Sequence, residues 1–251
     1  MRKILFLLLL LNPGWLRAVD IDVVSAAVLS SGTSHNTSAF TIAANSNRLL
    51  IVTTSAPDTS DLITDCFWDS AGANEALTKL DTISNANGVT VSIWYKRNPT
   101  AATSKVVTCS ASSSREREIG ALSLYTADQG TTFRSTVPEL ANNGTNSNTV
   151  TVTDSAAGDL VIDNLAVTRG GAPNITTLTP SGSQTERWDI SMGATPNDSQ
   201  RTGATTLVAS GADTEMTQTY DQNGSAAHIA CAVITATATV RRNRGLLGVG
   251  Q

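Results

Sequence analysis

NTSAFTIAANSNRLLIVTTSA, residues 36–56, and NTVTVTDSAAGDLVIDNLAV, residues 148–167, carry one pattern twice, about 110 residues apart. Each reads as a Thr-rich strand, a polar turn around Asn45 or Ala157, and a strongly apolar strand beginning at Leu49 or Leu160. The likeness extends outward from there. LTKLD at 77–81 matches TERWD at 185–189, and the apolar run 119–125 matches 229–234, each followed by Thr-Ala. Four elements recurring in the same order predict an internal repeat, with halves at about 36–127 and 148–236.

The repeated unit is built from strands. Over 89–96, Val89, Val91, Ile93 and Tyr95 fall on one face and Thr90, Ser92, Trp94 and Lys96 on the other, the period of a half-buried strand. Runs 49–52, 160–162 and 229–234 are apolar on both faces, as central strands are. Asn87-Gly88, Asn98-Pro99, Asn143-Gly144, Gly170-Gly171 and Asn223-Gly224 supply the turns. No stretch after residue 18 carries a helical stripe, so antiparallel pairing is expected. The predicted fold class is all-β: an antiparallel β-sandwich of jelly-roll type built from two similar halves. One sandwich over 19–240 is expected. Two tandem sandwiches joined through 126–148 are the alternative.

Composition narrows the class further. Only 15% of the 251 residues are charged, while 40% are hydrophobic, which gives a neutral-polar chain that can still bury a core. The net charge of −4 offers no basic face for a nucleic acid. Arg2 and Lys3, the apolar run 4–11 and the break at Asn12-Pro13-Gly14 predict a signal peptide over 1–18, and hence a secreted or surface-displayed chain with no transmembrane segment after its removal. A disulfide is then allowed between Cys66 and Cys109, which the sequence cannot decide. Cys231, in an apolar run, is expected in the core.

The strings VSIWYKRNP (91–99), the Thr/Val strand at Val106, IGALSLYTADQGTTF (119–133) and AAGDLVID (156–163) resemble a duplicated β-sandwich module of secreted bacterial and some phage-encoded proteins. The resemblance covers most of 36–236. It implies export or surface display and a fold akin to lectin-type jelly rolls, and it transfers no functional residue.

Few residues suggest chemistry. In Arg115-Glu116-Arg117-Glu118 the two acids share a strand face about 6.5–7 Å apart, a spacing that serves some glycosidases. The plainer expectation is a solvated strand entry whose acids face water, with Ala226 and His228 as their counterparts in the second half. His35 and His228 stand at no metal-ligand spacing. Asp58, Asp61, Asp65 and Asp69 surround Trp68 in a segment that suits either a Ca²⁺ loop or ordinary turns. Trp68 and Trp188, with Asp65 and Asp69, are candidate ligand contacts, the alternative being that the indoles cover the end of a core. Arg241, Arg242, Arg244, Leu246 and Leu247 form a flexible tail over 241–251, or an assembly segment that adds to a neighbour's sheet edge.

No cofactor, metal or catalytic residue is expected. The function expected is a non-enzymatic extracellular or surface module that binds a surface glycan, adheres, or assembles with copies of itself. A virion or filament subunit is the alternative, and a jelly-roll glycoside hydrolase the third reading.

Overall fold

The computed structural model describes residues 18–135, 137–171, 173–192 and 199–236. The first half holds nine strands: β1 (Asp20–Asn36), β2 (Phe40–Ile42), β3 (Leu49–Ala56), β4 (Ile63–Trp68), β5 (Glu75–Ala76), β6 (Thr78–Asn85), β7 (Val89–Arg97), β8 (Ala102–Lys105) and β9 (Val107–Tyr125). The second holds β10 (Glu139–Val152), β11 (Leu160–Arg169), β12 (Leu178–Pro180), β13 (Thr185–Met192), β14 (Ser199–Val208) and β15 (Thr214–Val233). Every strand pairing is antiparallel, and no helix occurs among the described residues.

Each half makes one sheet, and both sheets use the same strand order. In the first, β9 pairs along one edge with β1 and along the other with β3 and β4, laid end to end. From β3 the sheet continues to β7 and then β6. In the second, β15 pairs with β10 on one edge and with β11 and β12 end to end on the other, and the sheet continues to β14 and β13. Even the irregularities recur: β6 skips Leu80 opposite β7, and β13 skips Arg187 opposite β14. The short β5, which adds to β4 at the edge of the first sheet, and the small β2–β8 ribbon have no counterpart in the second.

The two sheets lie face to face. Leu49, Ile51, Leu122 and Leu124 of the first and Leu160, Ile162, Ile229 and Val233 of the second share one buried cluster. Each such side chain contributes about 1.5–3 kcal/mol when fully buried. The two sheets pack as a β-sandwich around this shared cluster. The chain finishes one sheet before starting the other, whereas the jelly-roll connectivity expected from the sequence would alternate strands between sheets. At the margins β1 reaches over β13, and β10 over β6.

The sheets' outer faces are also covered, which is why β3 and β11 are buried on both sides. Behind the first sheet, Leu50, Val52, Trp68, Trp94, Val107 and Ile119 form a second core. Behind the second sheet lie two smaller clusters, one around Val161 and Met216 and one around Leu165 and Tyr220. A disulfide joins Cys66 to Cys109, which face each other across β4 and β9. Cys231 is a buried core thiol, as expected, with its pKa pushed up to about 12 by burial and then by Asp163. No helix among the described residues is long and apolar enough to cross a membrane. Residues 1–17 of the signal peptide expected over 1–18, and the tail residues Arg241, Arg242, Arg244, Leu246 and Leu247, lie outside the described residues.

Candidate functional site

The acids of 115–118 do not face a cleft. Glu118, expected in solvent, is wholly buried between the sheets. Burial pushes its pKa up to about 8, offset in part by the Ser55 hydroxyl, and neither carboxyl oxygen has a hydrogen bond of good geometry. Its inward turn follows from strand parity: Glu118, Leu122 and Leu124 are an even number of residues apart on β9. The neighbouring polar layer is closed on itself. Ser55 Oγ meets Thr202 Oγ1 at 2.7 Å, and Asn164 Nδ2 donates to Thr54 O and to Ser55 Oγ, both at 3.2 Å. Pairing places Glu118 at the position of Ala227 and Ile119 at that of His228, one residue away from the match read in the sequence.

Arg117 is buried as well, on the opposite face. Its guanidinium donates to Asp58 Oδ2 at 2.8 Å, to Ser113 O at 2.8 Å and to Ser113 Oγ at 3.0 Å, with His35 Nε2 3.4 Å away. Burial first, and Arg117 second, hold the His35 pKa below its ordinary value. The acidic segment before Trp68 is thereby spread over separate duties. Asp58 binds Arg115 and Arg117, Asp61 binds Lys79, and Asp69 binds Lys105 and caps the following turn through Ala73 N. Asp65 alone points outward from β4. No cluster of acids, His or Cys suited to a metal exists among the described residues.

The two candidate indoles are both buried. Trp68 is fully buried, donating to Thr100 O at 2.9 Å, and Trp188 is 6% exposed. Trp188 lies so close over Gly120 that a Cβ there would approach its ring to 2.5 Å. Both therefore cover the core, the alternative weighed for them from the sequence.

Sequence reading missed a polar knot behind the second sheet. Asp163 Oδ1 accepts from Thr205 N and Thr205 Oγ1, each at 2.7 Å; Oδ2 accepts from Gln218 Nε2 at 3.0 Å and lies 2.9 Å from His228 Nε2. His228 and Asp163 are fully buried, and His228 Nδ1 has no hydrogen-bond partner. A His–Asp pair drives nucleophilic catalysis only when the other imidazole nitrogen reaches a nucleophile open to substrate. That condition is not met here.

One concentration of accessible polar groups lies at the end of the sandwich where β6 meets β7. The Asn85–Gly88 turn between β6 and β7 inserts against the bulge of β10 and the middle of β15. Asn85 Nδ2 donates to Asn142 O, Asn143 Oδ1 and Ala226 O at 2.9–3.0 Å, and Asn87 Nδ2 to Asn143 Oδ1 at 2.8 Å and Ser225 Oγ at 3.0 Å. Arg169 donates to Gln222 Oε1 at 2.7 Å beside it. These segments border an open cleft of about 470 Å³ that Asn87, Gly144, Arg169, Gly170, Asn223 and Ser225 help to line. The close approach beneath it requires Gly224, where a Cβ would lie 2.8 Å from Thr168 O. Asn87-Gly88 and Gly170 lie outside the strands, as the turns read from the sequence require, whereas Asn143-Gly144 and Asn223-Gly224, also read as turns, lie within β10 and β15 beside the β10 bulge; that the fold gathers all of them at one end was not legible. Comparison of the chain with family models, curated proteins and solved structures finds no match.

Proposed function

We propose that this chain is a non-enzymatic extracellular or surface module whose end cleft binds a neutral, hydroxyl-rich ligand of the glycan class. The observation that carries this reading is the lining of that cleft, where the Asn87 amide of the first half meets the Asn223 amide, the Thr168 and Ser225 hydroxyls, glycine backbone and an Arg169 held by Gln222 from the second around an open space. Amides both donate and accept, which suits sugar hydroxyls, and a shallow site suits a chain-like ligand. The disulfide supports an oxidising, exported setting, as does the leader expected from the sequence and the resemblance to secreted modules. Affinity electrophoresis of the purified protein through gels containing neutral polysaccharides tests it. At least one should retard the protein, and Asn87→Ala with Asn223→Ala should abolish the shift. Unretarded migration across the panel, or retardation indifferent to both substitutions, overturns the reading.

A second reading, a subunit of a filament or virion surface, is favoured by β10. Among the described residues this 14-residue edge strand pairs only with β15, so its outer edge can take a further strand. Concentration-dependent mass in solution supports that reading, and a strict monomer removes it.

A further inference from the structure

Opposite the amide-lined cleft, at the other end of β11, a second opening lies where β1 of one sheet meets β13 and β14 of the other. It has a volume of about 400 Å³. Leu160 lines this opening and Arg169 lines the amide cleft, so the two lie about 30 Å apart by the rise of a strand. Arg187 projects into it from the bulge of β13, with the hydroxyl residues Ser183, Thr185 and Thr206, Asp20 on the β1 side, and Val208 as part of the apolar wall. Val208, at 51%, is the one strongly exposed large hydrophobic among the described residues.

Two observations single out Arg187. The first is its position. Register places it where the first sheet has Leu80, the residue skipped in β6, which packs against the shared core. The scaffold position accepts an apolar side chain, so the fold does not require a cation there. The second is its company. Arg115 and Arg117 are neutralised by Asp58, Arg134 by Asp159 and Arg201 by Asp189, and of the other described arginines without a carboxylate Arg48 donates to two backbone carbonyls, Arg169 to Gln222 Oε1, and Arg97 is exposed over Tyr95. Arg187 has the Thr206 hydroxyl, 2.8 Å from its Nε, and no carboxylate within ion-pair distance among the described residues. Burial lowers its pKa with no opposing charge to raise it. A half-buried guanidinium with its outer fork unmatched is a poor structural element and a ready receptor for a two-oxygen anion.

We propose that the Arg187 opening is a binding site for the carboxylate of an acidic sugar, a uronic-acid unit, with Arg187 clamping the carboxylate and Asp20 and the hydroxyls taking sugar hydroxyls. Asp20 decides between ligand classes. A bare anion would only be repelled by it, whereas a sugar ring offers it hydroxyl donors beside the carboxylate. The site is separate from the amide-lined cleft and does not depend on it.

The test uses oligogalacturonate, its fully methyl-esterified form and sodium acetate, titrated into the purified protein by calorimetry, with thermal melting of each variant. Oligogalacturonate should bind the parent protein, and the ester and acetate at least tenfold more weakly. Arg187→Gln should cost at least tenfold in affinity, with Arg187→Lys between them. Arg187→Gln should also melt at the same temperature as the parent or higher, since it removes an uncompensated cation; a purely structural arginine would lower it. Asn87→Ala should leave this binding unchanged, so that failure here is distinguishable from failure of the neutral-glycan reading. No binding of oligogalacturonate, equal binding of the ester or of acetate, or undiminished binding by Arg187→Gln overturns the proposal.

Discussion

Asp163 and His228, 2.9 Å apart and fully buried, occupy the positions held in the first sheet by Val52 and Ile119. Asp163 pairs with Thr205 as Val52 pairs with Trp94, so the polar knot stands where the first sheet has hydrocarbon and indole. Removing one partner leaves the other's polar atoms buried and unmatched. Asp163→Ala should therefore cost about 3–5 kcal/mol in chemical denaturation. The double change Asp163→Val with His228→Ile copies the first sheet and should cost far less than the sum of the single changes. Additive losses in that cycle would show that the pair is not coupled.

Asp58 and Arg117 should behave alike for a different reason. Arg117 is buried to 1% exposure and Asp58 is its only carboxylate partner among the described residues. Asp58→Asn keeps the shape and removes the charge. Urea unfolding should register a loss of about 3–5 kcal/mol, and Arg115→Gln, at the exposed end of the same carboxylate, less than about 1 kcal/mol. Equal losses would contradict the assigned burial.

Glu118 sets a slope of stability against pH. Its carboxyl is raised from the ordinary 4.5 to about 8 in the fold, so between these values the folded chain holds a proton that the unfolded chain releases. Folding stability contributed by this group is therefore whole below about pH 4.5, falls as pH rises, and levels off above about 8. The total cannot exceed about 5 kcal/mol. Melting temperatures of Glu118→Gln should lose this decline and lie above the parent at pH 9. A parent and variant with parallel pH profiles would place the carboxyl in contact with water.

The Cys66–Cys109 bridge closes 43 residues of chain. Cys66→Ala with Cys109→Ala should lower stability by about 2–4 kcal/mol, seen as an earlier urea midpoint, and the reduced parent should match it. An unchanged midpoint would mean that the second core holds β4 to β9 without the bond.

Much of this architecture can be read from the chain, and the failures have causes. Leu49–Val52 and Leu160–Ile162 are legible because central strands buried on both faces must be apolar throughout. β1 was not foreseen, and the first half was taken to begin at 36. Register shifts between Ile21 and Val23, Ser25 and Val28, and Gly32 and Ser34 break its period of two into pieces too short to recognise. The polar run 112–118 reads as a strand entry, yet it crosses the gap between β3 and β4, where Arg117 finds Asp58 behind the sheet and Glu118 turns inward. Nor does the repeat keep one offset. Leu49 corresponds to Leu160, Leu124 to Val233 and Lys79 to Glu186. A single shift of about 110 therefore hides the exchange of Ile119 for His228 and of Leu80 for Arg187. The polar knot and the Arg187 opening were illegible for the same reason, since each is defined by what its counterpart in the other sheet is not, whereas the amide-lined cleft exists only where the fold brings distant segments together.

Because each sheet is complete within its own stretch of sequence, the shared core is an interface between two partners on a leash. Among the strand connections only the passage from Tyr125 to Glu139 links the layers, and it is tied to the last strand through Ala127 to Thr235 and Phe133 to Val233. Beyond holding the layers at a local concentration on the order of millimolar, this passage packs Ala127, Phe133 and Val137 into the shared core. Nicked by a protease at that passage, the protein should stay together as two chains. Either half alone would bare Leu49, Ile51, Leu122 and Leu124, or their opposites, and would be driven to pair with itself, as a homodimer of single sheets would be.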